Sequence, residues 1–237
     1  MDSFRYFIPG DDGFRADTMD NLLAAGYYRM QHLMFTTNDT QIEEDEEPIP
    51  VFWLRTRVSS CQLNRSARNI LKKCSQFTTT ILPACVTEEI EDLYALYKDH
   101  VVFSVSPSCA EYLHTDLLPH PFDSLMVQVR HGAQLVATGF FDVGQQSIAG
   151  IMNVYHPAYH AYSLGKFLVL QKLQYALDLQ KTYYYTGYIS PDSTRFDYKV
   201  FPDPTAVEVF LPDQQQWVPY HALGKPFLAE YFLKYLQ

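Results

Sequence analysis

The chain has 237 residues, 47% of them hydrophobic and 19% charged, a composition that excludes intrinsic disorder and supplies a well-buried core. Its formal net charge of −9 argues against wholesale nucleic-acid binding, because phosphate contacts need clustered Lys and Arg. The cysteines at positions 61, 74, 85 and 109 form no C-x-x-C pair, which disfavours a zinc knuckle and offers no disulfide framework.

The first residues lack the basic and apolar segments of a signal peptide, and the best apolar run, residues 167 to 173, is interrupted by Gln171 and Lys172. A reduced, cytoplasmic protein without a membrane partner is expected. Charge is unevenly spread. Glu43, Glu44, Asp45, Glu46 and Glu47 form one acidic block ahead of Pro48 and Pro50, which reads as a solvated loop. Arg55, Arg57, Arg65, Arg68, Lys72 and Lys73 then follow with no acidic residue among them.

In chain order, a Pro-Gly-Asp-Asp-Gly turn at residues 9 to 13 precedes a helix over 17–25 that Gly26 ends. Residues 27–35 and 51–58 read as strands, and 65–74 as a helix with Ile70 and Leu71 as its apolar positions. A division near Pro83 separates a smaller N-terminal α/β lobe, 1–83, from a C-terminal domain, 84–237. Thr87 caps the next helix, with Glu88 and Glu89 at its positive end and Ile90, Leu93, Tyr94 and Tyr97 recurring at helical spacing. His131-Gly132 joins strands 124–130 and 133–143 into a hairpin. Asp142-Val143-Gly144 turns into a strand over 147–155, which Pro157 ends. Ser163 then caps a helix with Leu164, Phe167, Leu168, Leu170 and Leu173 as apolar positions. Strands at 183–189 and 206–211 and a short helix from about Pro226 complete the chain.

This order predicts an α/β (α+β) fold, a mixed sheet flanked by helices. A helix that starts directly after a strand presents unpaired N–H groups and a positive dipole end at the sheet edge. The order resembles the GNAT acyltransferases, whose helix start carries a Gly-rich loop for the coenzyme A pyrophosphate. Here Tyr162-Ser163-Leu164-Gly165-Lys166 has a single Gly, so no coenzyme is expected.

Several segments together resemble the arginyl- and leucyl-tRNA–protein transferases, which add a residue to protein N-termini to mark them for degradation. The run from Leu135-Val136-Ala137 to Phe141-Asp142-Val143 is similar to that family's strand ending in Asp. Val154-Tyr155-His156-Pro157 resembles its Phe-Tyr-Asp-Pro, followed by Ser163-Leu164-Gly165. Tyr183 to Ile189 is similar to its Tyr-Leu-Gly-Tyr strand, and Tyr198-Lys199 and Trp217 match its Tyr-Lys and Trp positions. Upstream, Asn64-Arg65-Ser66-Ala67-Arg68 resembles its Ser-Arg-Ser-Gln-Arg, and Gly26-Tyr27-Tyr28-Arg29 its Gly-Phe-Arg-Arg. The family's N-terminal cysteine motif is replaced by Arg5-Tyr6-Phe7-Ile8-Pro9, and His156 and Ala67 stand in for an Asp and a Gln.

The resemblance implies an aminoacyl-tRNA donor and a protein or peptide N-terminus as acceptor. It implies a carboxylate, Asp142, that orients the incoming ammonium, with Tyr155 and Tyr188 lining the cleft. Ser163, Leu164, Gly165, Tyr198 and Lys199 would hold the substrates, Lys199 facing an acidic acceptor side chain. Arg65, Arg68, Lys72 and Lys73 would contact tRNA phosphates. On the residues alone, Asp142 reads equally as a turn opener and Ser163 as a helix cap. His156 and His160 cannot share a regular helix face because Pro157 follows the first, so no metal is expected. Two alternatives stand beside this reading: a GNAT that uses a coenzyme A thioester, and a degenerate domain that only binds N-terminal peptides.

Overall fold

The computed structural model describes residues 4–42, 47–101, 105–113 and 119–236, so Glu43, Glu44, Asp45 and Glu46 of the acidic block lie outside it. At the N-terminus, β1 (Arg5–Phe7), β2 (Tyr28–Met30) and β3 (Leu33–Thr36) form an antiparallel sheet in the order β1-β3-β2, with α1 (Ala16–Ala24) between the first two. The single strand expected over 27–35 is a hairpin. Its turn passes through Gln31, a non-glycine residue at φ 55°. Gly26 ends α1 at φ 82°, its N–H bonded to the Leu23 carbonyl at 3.1 Å.

Two short strands, β4 (Asp39–Thr40) and β5 (Ile49–Pro50), pair with each other. Next come β6 (Phe52–Arg57), α2 (Arg65–Lys73), β7 (Thr78–Pro83), α3 (Glu88–His100) and α4 (Cys109–Leu113). Asn64 caps α2 by accepting the Ala67 N–H at 2.8 Å, and Thr87 caps α3 by accepting from Ile90 at 3.4 Å. The expected hairpin is β8 (Ser124–His131) and β9 (Gln134–Val143), followed by β10 (Ser147–Tyr155), α5 (Leu164–Asp178) and β11 (Tyr183–Ile189). The chain closes with β12 (Val207–Leu211), β13 (Gln216–Pro219) and α6 (Tyr220–Tyr235). That last helix starts before Pro226 and kinks at Gly224, φ 68°.

The main sheet is mixed and eight-stranded, in the order β13-β12-β6-β11-β10-β9-β8-β7. Residue 83 is therefore no break in this sheet. β6, from before it, lies between β12 and β11, with Phe52 to Thr56 buried on both faces. β7, which the sequence reading passed over, is an edge strand whose largely exposed Thr-rich residues carry no apolar alternation.

Successive residues point to opposite faces, so Phe141 and Tyr184 pack beneath α2 and α5 while Phe140 and Tyr185 face the other way. α3 and α4 cover Met126, Leu135 and Phe140; α1 and the small sheet cover Trp53, Tyr185 and Phe210. The mixed α/β sheet flanked by helices that the element order implies is thus the observed architecture. Among the described residues no helix is long and apolar enough to cross a membrane.

Gly26 tests the seam between the two sheets. A Cβ there would lie 2.3 Å from the Phe210 ring, at a φ that L-residues rarely adopt. Gly26→Ala is expected to lower stability by about 2 kcal/mol in urea unfolding. An unchanged unfolding midpoint would show that the seam absorbs the methyl group.

Candidate functional site

The parallel strands β10 and β11 pair only at Ser147↔Tyr183, Ile148↔Tyr184 and Ala149↔Tyr185. Past that point their facing edges are not bonded to each other. Each strand carries a register shift just beyond the last pair: β10 against β9 between Gly150 and Met152, and β11 against β6 between Tyr185 and Gly187. Such irregularities bend a strand and strengthen its local twist, so the two strands part. Tyr28 fills the point of separation. Its hydroxyl donates toward the carbonyls of Gly150 on one strand and Tyr185 on the other, the latter at 3.2 Å, and its ring stacks on Trp53 at 5.2 Å. The opening is a cleft of about 1200 Å³ bordered by both strands and by the start of α5.

Asp142 does not reach this cleft. It is fully buried within β9, accepting from Arg29 Nη1 at 2.7 Å and from Ser124 Oγ at 2.5 Å. Arg29 spends its other donors on the carbonyls of Gln31 at 2.7 Å and Leu113 at 2.8 Å, and packs over Phe122 at 4.5 Å. The expectation that Asp142 orients an ammonium nucleophile is corrected accordingly: its charge is already matched by a guanidinium that ties β2, β9 and the end of α4 together. Nor does it open a turn, since it pairs with Ser124 and Ala149 inside the sheet. Sequence reasoning quoted Arg29 without giving it a role, because nothing local reveals a partner so far along the chain.

Ser163 is not a side-chain cap. It sits in the left-handed region at φ 54°, and its hydroxyl makes no cap bond, while its carbonyl accepts from Phe167 at 3.0 Å. The first turn of α5 also lacks an acidic side chain. The positive end of the helix is therefore open toward the cleft. Gly165 lets the Tyr155 ring lie against this helix start; a Cβ there would be 3.2 Å from the ring. Tyr155 in turn meets Tyr97 edge to face at 5.1 Å. Leu164 borders the cleft, but its side chain is buried in the core with Phe167 and Leu168.

On the opposite wall, Tyr188 contacts Trp53 and Phe196 at 5.3 and 5.0 Å, and Lys199 Nζ stands 4.3 Å above the Tyr188 ring. Gly187, at φ 103°, makes room for that amine, since a Cβ would lie 2.7 Å from Nζ. Burial and the neighbouring Arg195 guanidinium push the Lys199 ammonium down to about 7. Among the described residues no carboxylate pairs with it; Asp197 pairs with Lys225 instead. Tyr198 beside it is half exposed.

Sequence reasoning missed Lys172, seen only as a break in an apolar run. Its buried Nζ donates to the carbonyls of Phe140 at 2.7 Å and Met152 at 3.2 Å and to Asn153 Oδ1 at 2.8 Å, bracing β9 against the bend of β10. Burial pushes it to about 7, against the opposing pull of Asp142.

A second groove, of about 560 Å³, lies beside the first. Arg65, Lys72 and Lys73 of α2 form one wall, and Ser163, just ahead of α5, and Lys166 within it the other. Arg68, expected to act with them, lies outside the groove and donates to the Leu63 carbonyl.

The family described as arginine-tRNA-protein transferase, C terminus, matches residues 89–207, and the chain belongs to it. An aspartate/glutamate leucyltransferase of Leptospira interrogans serogroup Icterohaemorrhagiae is 24% identical over 160 residues, covering 65% of this chain and 62% of that protein. One from Methylobacillus flagellatus is 27% identical over 179 residues, covering 73% and 68%. The chain thus spans less than two thirds of the length of the first of these relatives. Among solved structures, FemX aligns with a TM-score of 0.48 at 9% identity over 76% of this chain and 61% of its own. A GCN5-related N-acetyltransferase from Kribbella flavida aligns with a TM-score of 0.37 at 14% identity, over 72% and 54%.

Removing one partner of a buried ion pair leaves the other charge uncompensated, at a cost of about 3–5 kcal/mol. Asp142→Asn is expected to lower the stability of the fold by about 3 kcal/mol in urea unfolding, because Arg29 stays buried. A variant as stable as the wild type would show that Arg29 does not depend on that carboxylate.

Proposed function

We propose that the chain transfers an aminoacyl group, Leu or Arg, from a charged tRNA to the α-amine of a protein or peptide whose first residue is acidic, the tagging step of an N-degron route in the cytoplasm. The observation that carries this reading is Lys199, an amine in the cleft wall framed by aromatic rings and, among the described residues, in no ion pair. An acidic acceptor side chain supplies a carboxylate. The aspartate/glutamate leucyltransferase names of its relatives agree with such an acceptor.

The chemistry asks little covalent work of the protein. The amine nitrogen attacks the ester carbonyl, the N–C bond forms, and the C–O bond to the ribose breaks. The proton lost by nitrogen balances the one gained by the ribose oxygen. The ester is already activated, and an α-amine with a reference pKa of about 8 is free in about one molecule in ten at pH 7. Holding the two in attack geometry contributes on the order of 7–11 kcal/mol. N–H groups of the open α5 start and of the separated strand edges would supply donors to a developing oxyanion. Tyr155 and Tyr188 form the walls that keep both reactants aligned, and Tyr198 flanks the entrance.

Mass gain on peptides beginning with Asp or Ala, incubated with leucyl- and arginyl-tRNA, tests the reading. The ratio of their kcat/KM values cancels the ionisation of the shared α-amine. Lys199→Met is expected to reduce the preference for the Asp peptide at least about tenfold, equivalent to about 1.4 kcal/mol. Because the Lys199 amine loses its proton through about 7, the wild-type preference should fall as pH rises from 6.5 to 8.5. Lys199→Arg should keep it across that range, a guanidinium remaining charged. A preference untouched by Lys199→Met, or no mass gain with either tRNA, would contradict the proposal.

A further inference from the structure

We propose that Lys166 marks the passage through which the single-stranded 3′ end of the donor RNA runs, from the basic groove beside α2 into the cleft between β10 and β11. This rests on the aminoacyl-transfer reading and gives the donor a path. Two residues, Ser163 and Lys166, border both spaces, so groove and cleft adjoin at the start of α5.

The two spaces suit different parts of one ligand. The groove is walled by Arg65, Lys72, Lys73 and Lys166, with Asn69 and no acidic side chain among its lining residues. None of these four cations is in an ion pair among the described residues. On a chain of net charge −9, such a local cationic wall focuses a polyanion onto one track rather than onto the whole surface. At the junction, Lys166 Nζ lies 5.3 Å from the centre of the Phe201 ring. A cation beside an aromatic face is the combination that holds phosphate and base of a single strand. Beyond the junction lies the cleft between two strands of one sheet, whose backbone edges suit a single strand carrying its aminoacyl ester better than a duplex end. The open first turn of α5, with neither a side-chain cap nor an acid, leaves N–H groups for a phosphate at the same corner.

Arg68 supplies the internal control: it lies on α2 with Arg65, Lys72 and Lys73, is exposed as Lys166 is, and stands outside the groove. The probe is a fluorescent RNA hairpin with a four-nucleotide single-stranded 3′ extension, compared with the same hairpin ending blunt. Binding is followed by anisotropy across a salt series with the full chain. The wild type is expected to bind the extended hairpin at least about tenfold more tightly. Lys166→Glu should erase that difference while keeping the wild-type melting temperature, and Arg68→Glu should retain it. Lys166→Ala should lower the salt slope for the extended hairpin by about 0.7, the value of one single-strand phosphate contact, and leave the blunt one unchanged.

Equal affinity of the wild type for both hairpins would overturn the proposal, as would a preference that survives Lys166→Glu. Displacement of the extended hairpin by micromolar coenzyme A would overturn it too, reassigning the path to a thioester cofactor. The two readings fail separately. Aminoacyl transfer that is equally fast in wild type and Lys166→Glu removes the path and leaves the reaction. Loss of the extension preference in Lys166→Glu, in a protein that transfers nothing, upholds the path and removes the reaction.

Discussion

Between β10 and β11 only three residue pairs remain hydrogen-bonded, and Tyr28 occupies the point where the strands separate, its hydroxyl facing a carbonyl from each. The arrangement of the cleft depends on that separation. It leaves two strand edges facing each other without mutual hydrogen bonds, and it directs the start of α5 and the Lys199 amine toward one space. Backbone groups so exposed are costly unless something polar meets them. A cleft of this kind therefore offers backbone donors and acceptors to a polar ligand that enters it.

The surrounding polar network keeps the strands apart. Arg29, through Asp142, Ser124 and the Leu113 carbonyl, fixes β2, and with it Tyr28, against the main sheet. Lys172 anchors the strands from the helical side, bonded to acceptors on β9 and β10 just past the bend. Burying charge in this way is expensive, and well-packed apolar side chains often stabilise a core as well or better. What Arg29 and Lys172 add is a fixed geometry at a place where the sheet's own ladder is interrupted.

Much of this fold was legible in the sequence because it rests on local signals. β10 and β11 were read with the bounds they have: the Asp142-Val143-Gly144 turn and Pro157 bracket the first, and the second is a Tyr-rich run of strand-forming residues. α2 and α3 carry their own caps in Asn64 and Thr87. The failures share a different cause, namely dependence on distant partners. β7 lacks apolar alternation because it is an edge, and β6 reaches the middle of the sheet only by pairing with β11 and β12. Asp142 looked like a free carboxylate because Arg29 lies far away in the chain. The cleft walls at Tyr155, Gly165, Tyr188 and Lys199 were found through resemblance to the family. Lys166, at the junction of groove and cleft, has no signature short of the structure itself.

Amide hydrogen exchange tests most directly whether chemistry takes place between the parted strands. The full chain would be followed with and without an amide-linked aminoacyl-adenosine, a stable stand-in for the 3′ end of a charged tRNA. Exchange is expected to slow on binding at residues 150–155 of β10, at 186–188 of β11 and at 164–166 of α5, where backbone N–H groups gain partners. Slowing confined to other parts of the chain, with these three segments exchanging as fast as in the free protein, would contradict the assignment of the cleft.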